Sequence, residues 1–481
     1  MICENFAYRG LLRFFEEISA IPRPTFHEER IADYLCAFAE QRGFEYYRDE
    51  AHNVLIKKSA TEGREDEEPL LFQAHTDMVC EKNEDTVHDF LVEGLKLYVE
   101  DGLLRARGTT LGADDGYGVA VMLYILDGAE GHVPSHPPIE CLFTAAEEVG
   151  LDGAKQFDYS RISARRMINL DSADDNQVLT GCAGGNRTTM VFTPTTEKPS
   201  GQAVRISVKG LAGGHSGEDI DKGRANSSKL MGRILLSLST ETDLQITSIN
   251  GGTKDNAITR ETQALVVTSD ADKLISLVKM LESEILNELV AEDQGFFIET
   301  EKCDLPELVM SKKSTEDIIL FISTVQTGIF EMNKHIRNLV EFSRNLGVVK
   351  TEDDLSSVTF KFLSRSPQAS QINFSIKQLE AYAEHYEMTV EHGDNYPGWL
   401  YAPISPLRDA YAQTYKELFD KDIEIIAIHA GLECAIIKER VPDMDIIACG
   451  PILRGLHSPD EYMDLASYER FFTIIKHFLA K

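Results

Sequence analysis

The chain has 481 residues, a net charge of −31, and 43% hydrophobic and 26% charged residues, proportions of a soluble globular protein with length for two or three domains. No apolar run approaches the ~18 residues of a membrane helix, the charges at Glu4, Arg9, Arg13, Glu16 and Glu17 break up any export-signal core, and no basic stripe suited to nucleic acid is present. The cysteines, Cys3, Cys36, Cys80, Cys141, Cys182, Cys303, Cys434 and Cys449, are scattered, the usage of reduced thiols in a cytoplasmic protein rather than of a disulfide framework.

Apolar residues at helical spacing predict helices over 11–18 and 28–44, the second stopping near Gly43. Strand-like runs follow at 54–56, 70–74, 139–144 and 167–170, with a helix over 118–127 that starts near Asp115. This alternation is an α/β pattern around a mixed central sheet. From about Glu197 the character changes. Strands are expected at 204–208, 244–249 and 264–268, helices at 227–238 and 273–289, and a turn at Gly251-Gly252. A similar set returns, with strands at 346–350 and 358–363 and a helical stripe of Ile372, Ile376, Leu379, Ala383 and Tyr386. The α/β character then resumes, with strands at 423–428 and 446–447. The expected organisation is a discontinuous catalytic domain, 1–196 and 393–481, with an inserted α+β domain of two related halves at 197–392.

The chemistry-bearing residues fall at strand ends, where ligands gather in open α/β sheets. His75 and Asp77 follow the apolar run Leu70-Leu71-Phe72. Two residues apart, they face the same side of a strand, so an imidazole can bind a metal while the carboxylate orients the ring. Asp114 stands in a glycine-rich turn before a helix, Glu147-Glu148 and Asp171 follow two further strands, and His457 comes late. Zinc takes His nitrogen and carboxylate oxygen, and two zinc ions share a bridging carboxylate and water. The expected ligands are His75, Asp114 and Asp171 for one ion, and Asp114, Glu148 and His457 for the other. Asp114 is the bridge. Glu147, left over, takes a proton from the water and returns it to a leaving amine. His457 then has to fold back onto the first part of the catalytic domain. Gly181 to Gly185 lacks the spacing of a nucleotide loop.

Six segments, 73–79, 106–114, 181–185, 210–217, 429–434 and 455–461, occur in this order over nearly the whole chain. Together they resemble the co-catalytic dizinc peptidase family that includes carboxypeptidase G-like enzymes, aminoacylases and succinyl-diaminopimelate desuccinylase, and within it the dipeptidases. The resemblance implies a zinc-peptidase catalytic domain and a smaller, dimerising lid domain. It implies two Zn2+ per chain, with Co2+ or Mn2+ as alternatives, a homodimer, a small dipeptide substrate, and neither nucleic-acid nor membrane partner. The implied reaction is hydrolysis of dipeptides, preferentially Xaa-His of the β-Ala-His type. It carries the roles above onto His75, Asp77, Asp114, Glu147, Glu148, Asp171 and His457. It further implies that His215 holds the substrate carbonyl during attack, that Asn256 and Arg365 hold the carboxylate end, and that Gly431 lines the same pocket. Asp115 stands where relatives often have Asn.

Two other readings share these residues. One is an N-acyl amino acid deacylase or tripeptidase with the same dizinc chemistry, since specificity lives in pocket geometry. The other is a non-catalytic zinc- or peptide-binding protein, against which the retention of Glu147 argues.

Overall fold

The computed structural model describes residues 6–481, and every count below is of those residues. Cys3 and Glu4 fall outside them. The described cysteines are all free thiols, and no described helix is long and apolar enough to cross a membrane. The chain forms two compact units. One comprises the residues up to Cys182, Trp399–Ala427 and Leu432–Lys481; the other comprises Ala183–Gly398 and Ile428–Gly431.

The first unit is built on an eight-stranded mixed sheet, in the order Glu45–Arg48, Val54–Lys58, Ile139–Thr144, Leu70–His75, Arg166–Asn169, Asp445–Ala448, Gln177–Cys182 and Glu424–Ile428. Leu70–His75 runs parallel to both its neighbours, and Asp445–Ala448 runs parallel to Arg166–Asn169. Every residue of Leu70–His75 and of Ile139–Thr144 is buried. That is why these strands read as continuous apolar runs rather than alternating ones. The helix Ala113–Asp127 packs against Leu70–His75 and is itself covered by Arg9–Ser19. It is apolar all round, as a helix enclosed on every side must be. Phe15, Phe72, Tyr117, Tyr468 and Phe472 belong to one continuous core.

That helix begins before the expected Asp115. Asp114 (φ −79°, ψ 106°) and Asp115 (φ −111°, ψ 40°) depart from helical geometry inside its first turn, and the peptide bond between them is cis. Gly112 precedes them at φ 62°, and a Cβ there would come within 2.8 Å of the Arg23 guanidinium. The turn therefore needs glycine for both conformation and room.

The second unit carries a nine-stranded sheet whose strand pairings, among the described residues, are all antiparallel. Four of its strands come from one stretch, Gln202–Lys209, Gln245–Gly251, Thr262–Thr268 and Phe297–Cys303, with the helices Ser227–Glu241 and Ala271–Leu286 between them. Four more, Gly184–Phe192, Val340–Thr351, Val358–Ser366 and Thr389–Tyr396, alternate in the same way with Lys312–Thr324 and Ala369–His385. Each set has the first strand between the last and the third, with the second beyond the third. The two sets meet through Gly251 and Val349. The first set lies inside the second in chain order. A short pairing of Thr196–Glu197 with Val309–Met310 closes the ends of this insertion.

Besides those flanking Ile428–Gly431, the changeovers between units fall at Cys182/Ala183 and Gly398/Trp399, where composition places them at 196/197 and 392/393. The reason is strand pairing: Gly184–Phe192 and Thr389–Tyr396 join the second unit's sheet.

Candidate metal centre

His75 closes the strand Leu70–His75 and is fully buried. Its Nδ1 lies 3.4 Å from Asp77 Oδ1 and 3.2 Å from the Asp77 carbonyl. Its Nε2 lies 3.0 Å from Asp114 Oδ1. The other oxygen of Asp114 is 3.3 Å from His457 Nε2, which stands 3.2 Å from Glu148 Oε2. One carboxylate therefore spans two imidazoles. Donor atoms of His75, Asp114 and Asp171 lie within 4.8 Å of one another, and so do those of Asp114, Glu148 and His457. Glu147 completes a third such group with His75 and Glu148. All the residues expected at the metal centre are brought together in the first unit.

Hydrogen bonds to the backbone hold this arrangement. Asp77 accepts from the backbone N–H of Glu147 at 3.0 Å and of Glu148 at 3.2 Å, and from the Thr25 hydroxyl at 2.9 Å. Buried Arg23 donates to the carbonyls of Thr76, Asp77 and Gly112 at 2.9, 3.0 and 2.6 Å, tying the His75 loop to the Asp114 turn. Glu461 accepts from the backbone N–H groups of Leu111, Gly112, Ala113 and Asp114 at 2.7, 3.0, 2.9 and 3.4 Å. These are the amides a helix N-terminus leaves without internal partners. His457 and Ala146 sit at φ 60° and 50°, the left-handed region that non-glycine residues adopt rarely and mostly under structural constraint.

The cluster holds more negative charge than its two imidazoles offset. Burial, with the charges of Asp171, Glu148 and Glu433, pushes the Glu147 carboxyl well above its usual range against the opposing pull of His75. Burial and Asp114 push Asp171 up to about 8. Burial opposes protonation of His75, and the bonds to Asp114 and Asp77 overcome it, so its pKa rises well above the ordinary value. The bonds to Asp114 and Glu148 raise His457 to about 11. A divalent cation meets this electrostatic demand. The donor chemistry fits zinc: imidazole nitrogens and carboxylate oxygens at strand ends. Glu148 Oε1 is buried with no hydrogen-bond partner, a lone pair of the kind a metal ligand offers.

In the second unit, His215 pairs with Ala257 in a short antiparallel ladder, and Ser216 N–H donates to the Asn256 carbonyl at 2.8 Å. Arg365, on the strand Val358–Ser366, is 4% exposed. It donates to Tyr396 Oη at 3.0 Å, to His215 Nε2 at 3.3 Å and to Ser216 Oγ at 3.4 Å. A Cβ on Gly431 would come within 2.9 Å of the Tyr396 ring. The four residues His215, Asn256, Arg365 and Gly431 thus belong to one neighbourhood. Burial and the Arg365 charge lower the pKa of His215. No carboxylate pairs with Arg365 among the described residues, and a buried guanidinium with only neutral partners is suited to an incoming anion.

Arg23, Thr25, Tyr396, Glu433 and Glu461 were not expected from the sequence. Glu433 and Glu461 lie within recognisable segments, 429–434 and 455–461, where their carboxylates were the available signal. Arg23 sits between Ile21-Pro22 and Pro24 and has only carbonyl partners at the site, which residue types do not reveal.

Residues 71–481 match peptidase family M20/M25/M40. The chain is 36% identical over 469 residues to the cytosol non-specific dipeptidase of Escherichia coli (strain K12), an alignment covering 97% of this chain and 96% of that protein. The crystal structure of aminoacylhistidine dipeptidase from Vibrio alginolyticus matches with a TM-score of 0.90 and 35% identity, covering 99% of this chain and 97% of that one. Aminopeptidase PepT from Bacillus cereus shares the fold, with a TM-score of 0.55 and 15% identity over 99% of this chain and 98% of that one.

Proposed function

Since this chain belongs to peptidase family M20/M25/M40, a family of hydrolases, we propose that it is a zinc-dependent dipeptidase that cleaves Xaa-His dipeptides of the β-Ala-His type preferentially. One observation carries the reading: two three-residue donor groups share Asp114, and Glu147, grouped instead with His75 and Glu148, belongs to neither of those two. His75, Asp114 and Asp171 would hold one zinc, and Asp114, Glu148 and His457 the second. Bound there, zinc supplies Lewis acidity, polarising a carbonyl and lowering the pKa of water.

The remaining work falls to side chains. Glu147 receives a proton from the attacking water and delivers it to the departing amine. Asp77 fixes the His75 ring through Nδ1, leaving Nε2 toward the centre, and it anchors the backbone of Glu147 and Glu148. In the second unit, His215 holds the substrate carbonyl, while Arg365 and Asn256 receive the carboxylate end and Gly431 keeps space beside Tyr396. The guanidinium of Arg365, which has no carboxylate partner among the described residues, supports that part of the reading. A cytosolic homodimer with no nucleic-acid or membrane partner belongs to the same proposal; the name of the Escherichia coli relative supports the cytosolic part, and the net charge of −31 argues against a nucleic-acid partner.

The test is turnover of β-Ala-His beside Gly-Leu, a tripeptide and an N-acetyl amino acid, before and after chelation and zinc repletion. Dipeptide cleavage that is lost on chelation and restored by zinc supports the proposal, and the panel reads the preference for histidine. Activity confined to the acetylated compound or the tripeptide overturns it.

A further inference from the structure

Glu433 opens the helix Glu433–Arg440 and is fully buried, yet the proposed reaction gives it no task. Its Oε2 accepts from Gln73 Nε2 at 2.6 Å and from Thr144 Oγ1 at 2.7 Å. Gln73 Oε1 in turn accepts from Asn169 Nδ2 at 2.6 Å. Gln73, Thr144, Asn169 and Glu433 are each 0% exposed. The three partners stand on adjacent central strands, Leu70–His75, Ile139–Thr144 and Arg166–Asn169. Each closely precedes a residue of the metal centre: Gln73 before His75, Thr144 before Glu147, Asn169 before Asp171.

A carboxylate only accepts hydrogen bonds. It therefore dictates the direction of the whole chain. Gln73 must turn its NH2 toward Glu433, so its oxygen faces Asn169, so Asn169 presents its own NH2. Without that anchor either amide is free to reverse. The arrangement is costly: Glu433 Oε1 and Asn169 Oδ1 are buried without partners, and an apolar residue at 433 would avoid the desolvation. Partly satisfied networks of this kind persist where function needs them.

We propose that Glu433 is a positioning residue of the metal centre, which sets the amide of Gln73 and the hydroxyl of Thr144 and so holds the ends of the three strands that carry His75, Glu147-Glu148 and Asp171. The inference rests on the assignment of those residues given above.

The test compares Glu433→Ala and Glu433→Gln with the unaltered full-length protein, each loaded with zinc for dipeptide turnover and with Co2+ for its visible absorption spectrum. Glu433→Ala is expected to lower kcat by about 10–100-fold with KM changed by less than about threefold, and to alter the Co2+ spectrum, because outer groups that orient ligands typically act on this scale. Glu433→Gln, whose side-chain oxygen can accept both bonds, is expected to restore kcat to within about threefold and to restore the spectrum. Unchanged kcat and spectrum in Glu433→Ala overturn the proposal, and so does a Glu433→Gln variant as impaired as Glu433→Ala. If Glu433→Ala does not fold, Thr144→Val takes its place: a lowered kcat with an altered spectrum supports the proposal, and no change in either overturns it. If the unaltered protein cleaves no dipeptide, the functional reading falls, and the Co2+ spectra still decide the positioning role.

Discussion

Glu461 holds the backbone of Asp114. Four residues after His457, its carboxylate gathers the N–H groups from Leu111 to Asp114, so one side chain fixes the turn that presents Asp114 to both imidazoles. Bonds to a charged acceptor contribute about 1.5–3 kcal/mol each, and less than additively when shared. Glu461→Gln, which exchanges one acceptor oxygen for a donor facing other donors, is expected to destabilise the protein by about 2–3 kcal/mol. It should also weaken zinc retention during dialysis against a chelator. An unchanged Tm together with unchanged retention would count against this linkage.

The proposed function gives Glu147 and His457 separate roles within one cluster. Glu147→Ala should leave zinc content near that of the unaltered protein and remove nearly all turnover. His457→Ala should lower the metal-to-protein ratio. Metal analysis beside turnover reads both. Near-normal turnover in the first variant, or an unchanged ratio in the second, contradicts the corresponding role.

Arg365→Lys keeps the charge and loses the planar fork. With the bonds to Tyr396, His215 and Ser216 arranged around a guanidinium, kcat/KM should fall about tenfold or more, chiefly through KM. Zinc content should not change. A fall carried by kcat alone would remove Arg365 from substrate binding.

His429 gives the second unit a pH dependence. Burial first, then the charge of Arg365, lower its pKa to about 3 against a raising contribution from the Val340 backbone, with the charge of His215 adding least. Its Nε2 lies 2.7 Å from the Ser343 hydroxyl. The unfolded chain takes up this proton near the ordinary imidazole value of about 6.5, before the folded one does. Stability from neutral His429 is therefore present above about pH 6.5 and is lost as pH falls toward 3, by up to about 1.4 kcal/mol per pH unit. The Tm of the unaltered protein should fall more steeply between pH 6.5 and 4 than that of His429→Gln. Parallel curves would refute the account.

The sequence carried most of what positions the metal centre, because those residues act through their own side chains at strand ends. His75 and Asp77 show themselves by an apolar run followed by i, i+2 spacing. Asp114 shows itself by flanking glycine at a helix start. What remained hidden acts through the main chain or through long-range pairing. Glu461 meets amides some 350 positions earlier, and an amide has no residue type to search for. Arg23 meets only carbonyls. The strand Gly184–Phe192 buries alternate residues over part of its length, but it directly follows Gln177–Cys182 of the other sheet. The glycines of 181–185 stand at the change of unit, but composition shifts only near Glu197.

The order in which the first unit's strands are made sets when its two donor groups can be completed. Asp445–Ala448 lies inside that sheet, between Arg166–Asn169 and Gln177–Cys182, and His457 follows it. At about 5–20 residues per second, synthesis reaches His457 roughly 15–60 s after Asp171. Until then the nascent chain has an open slot in its sheet and a half-formed ligand set, with several carboxylates and only His75 to balance them. The inserted strands of the second unit, from Gln202–Lys209 to Phe297–Cys303, are complete well before that moment. Under the proposed function, a chain that ends before His457 holds only the donor group of His75, Asp114 and Asp171, and the group of Asp114, Glu148 and His457 forms only once synthesis has passed that residue.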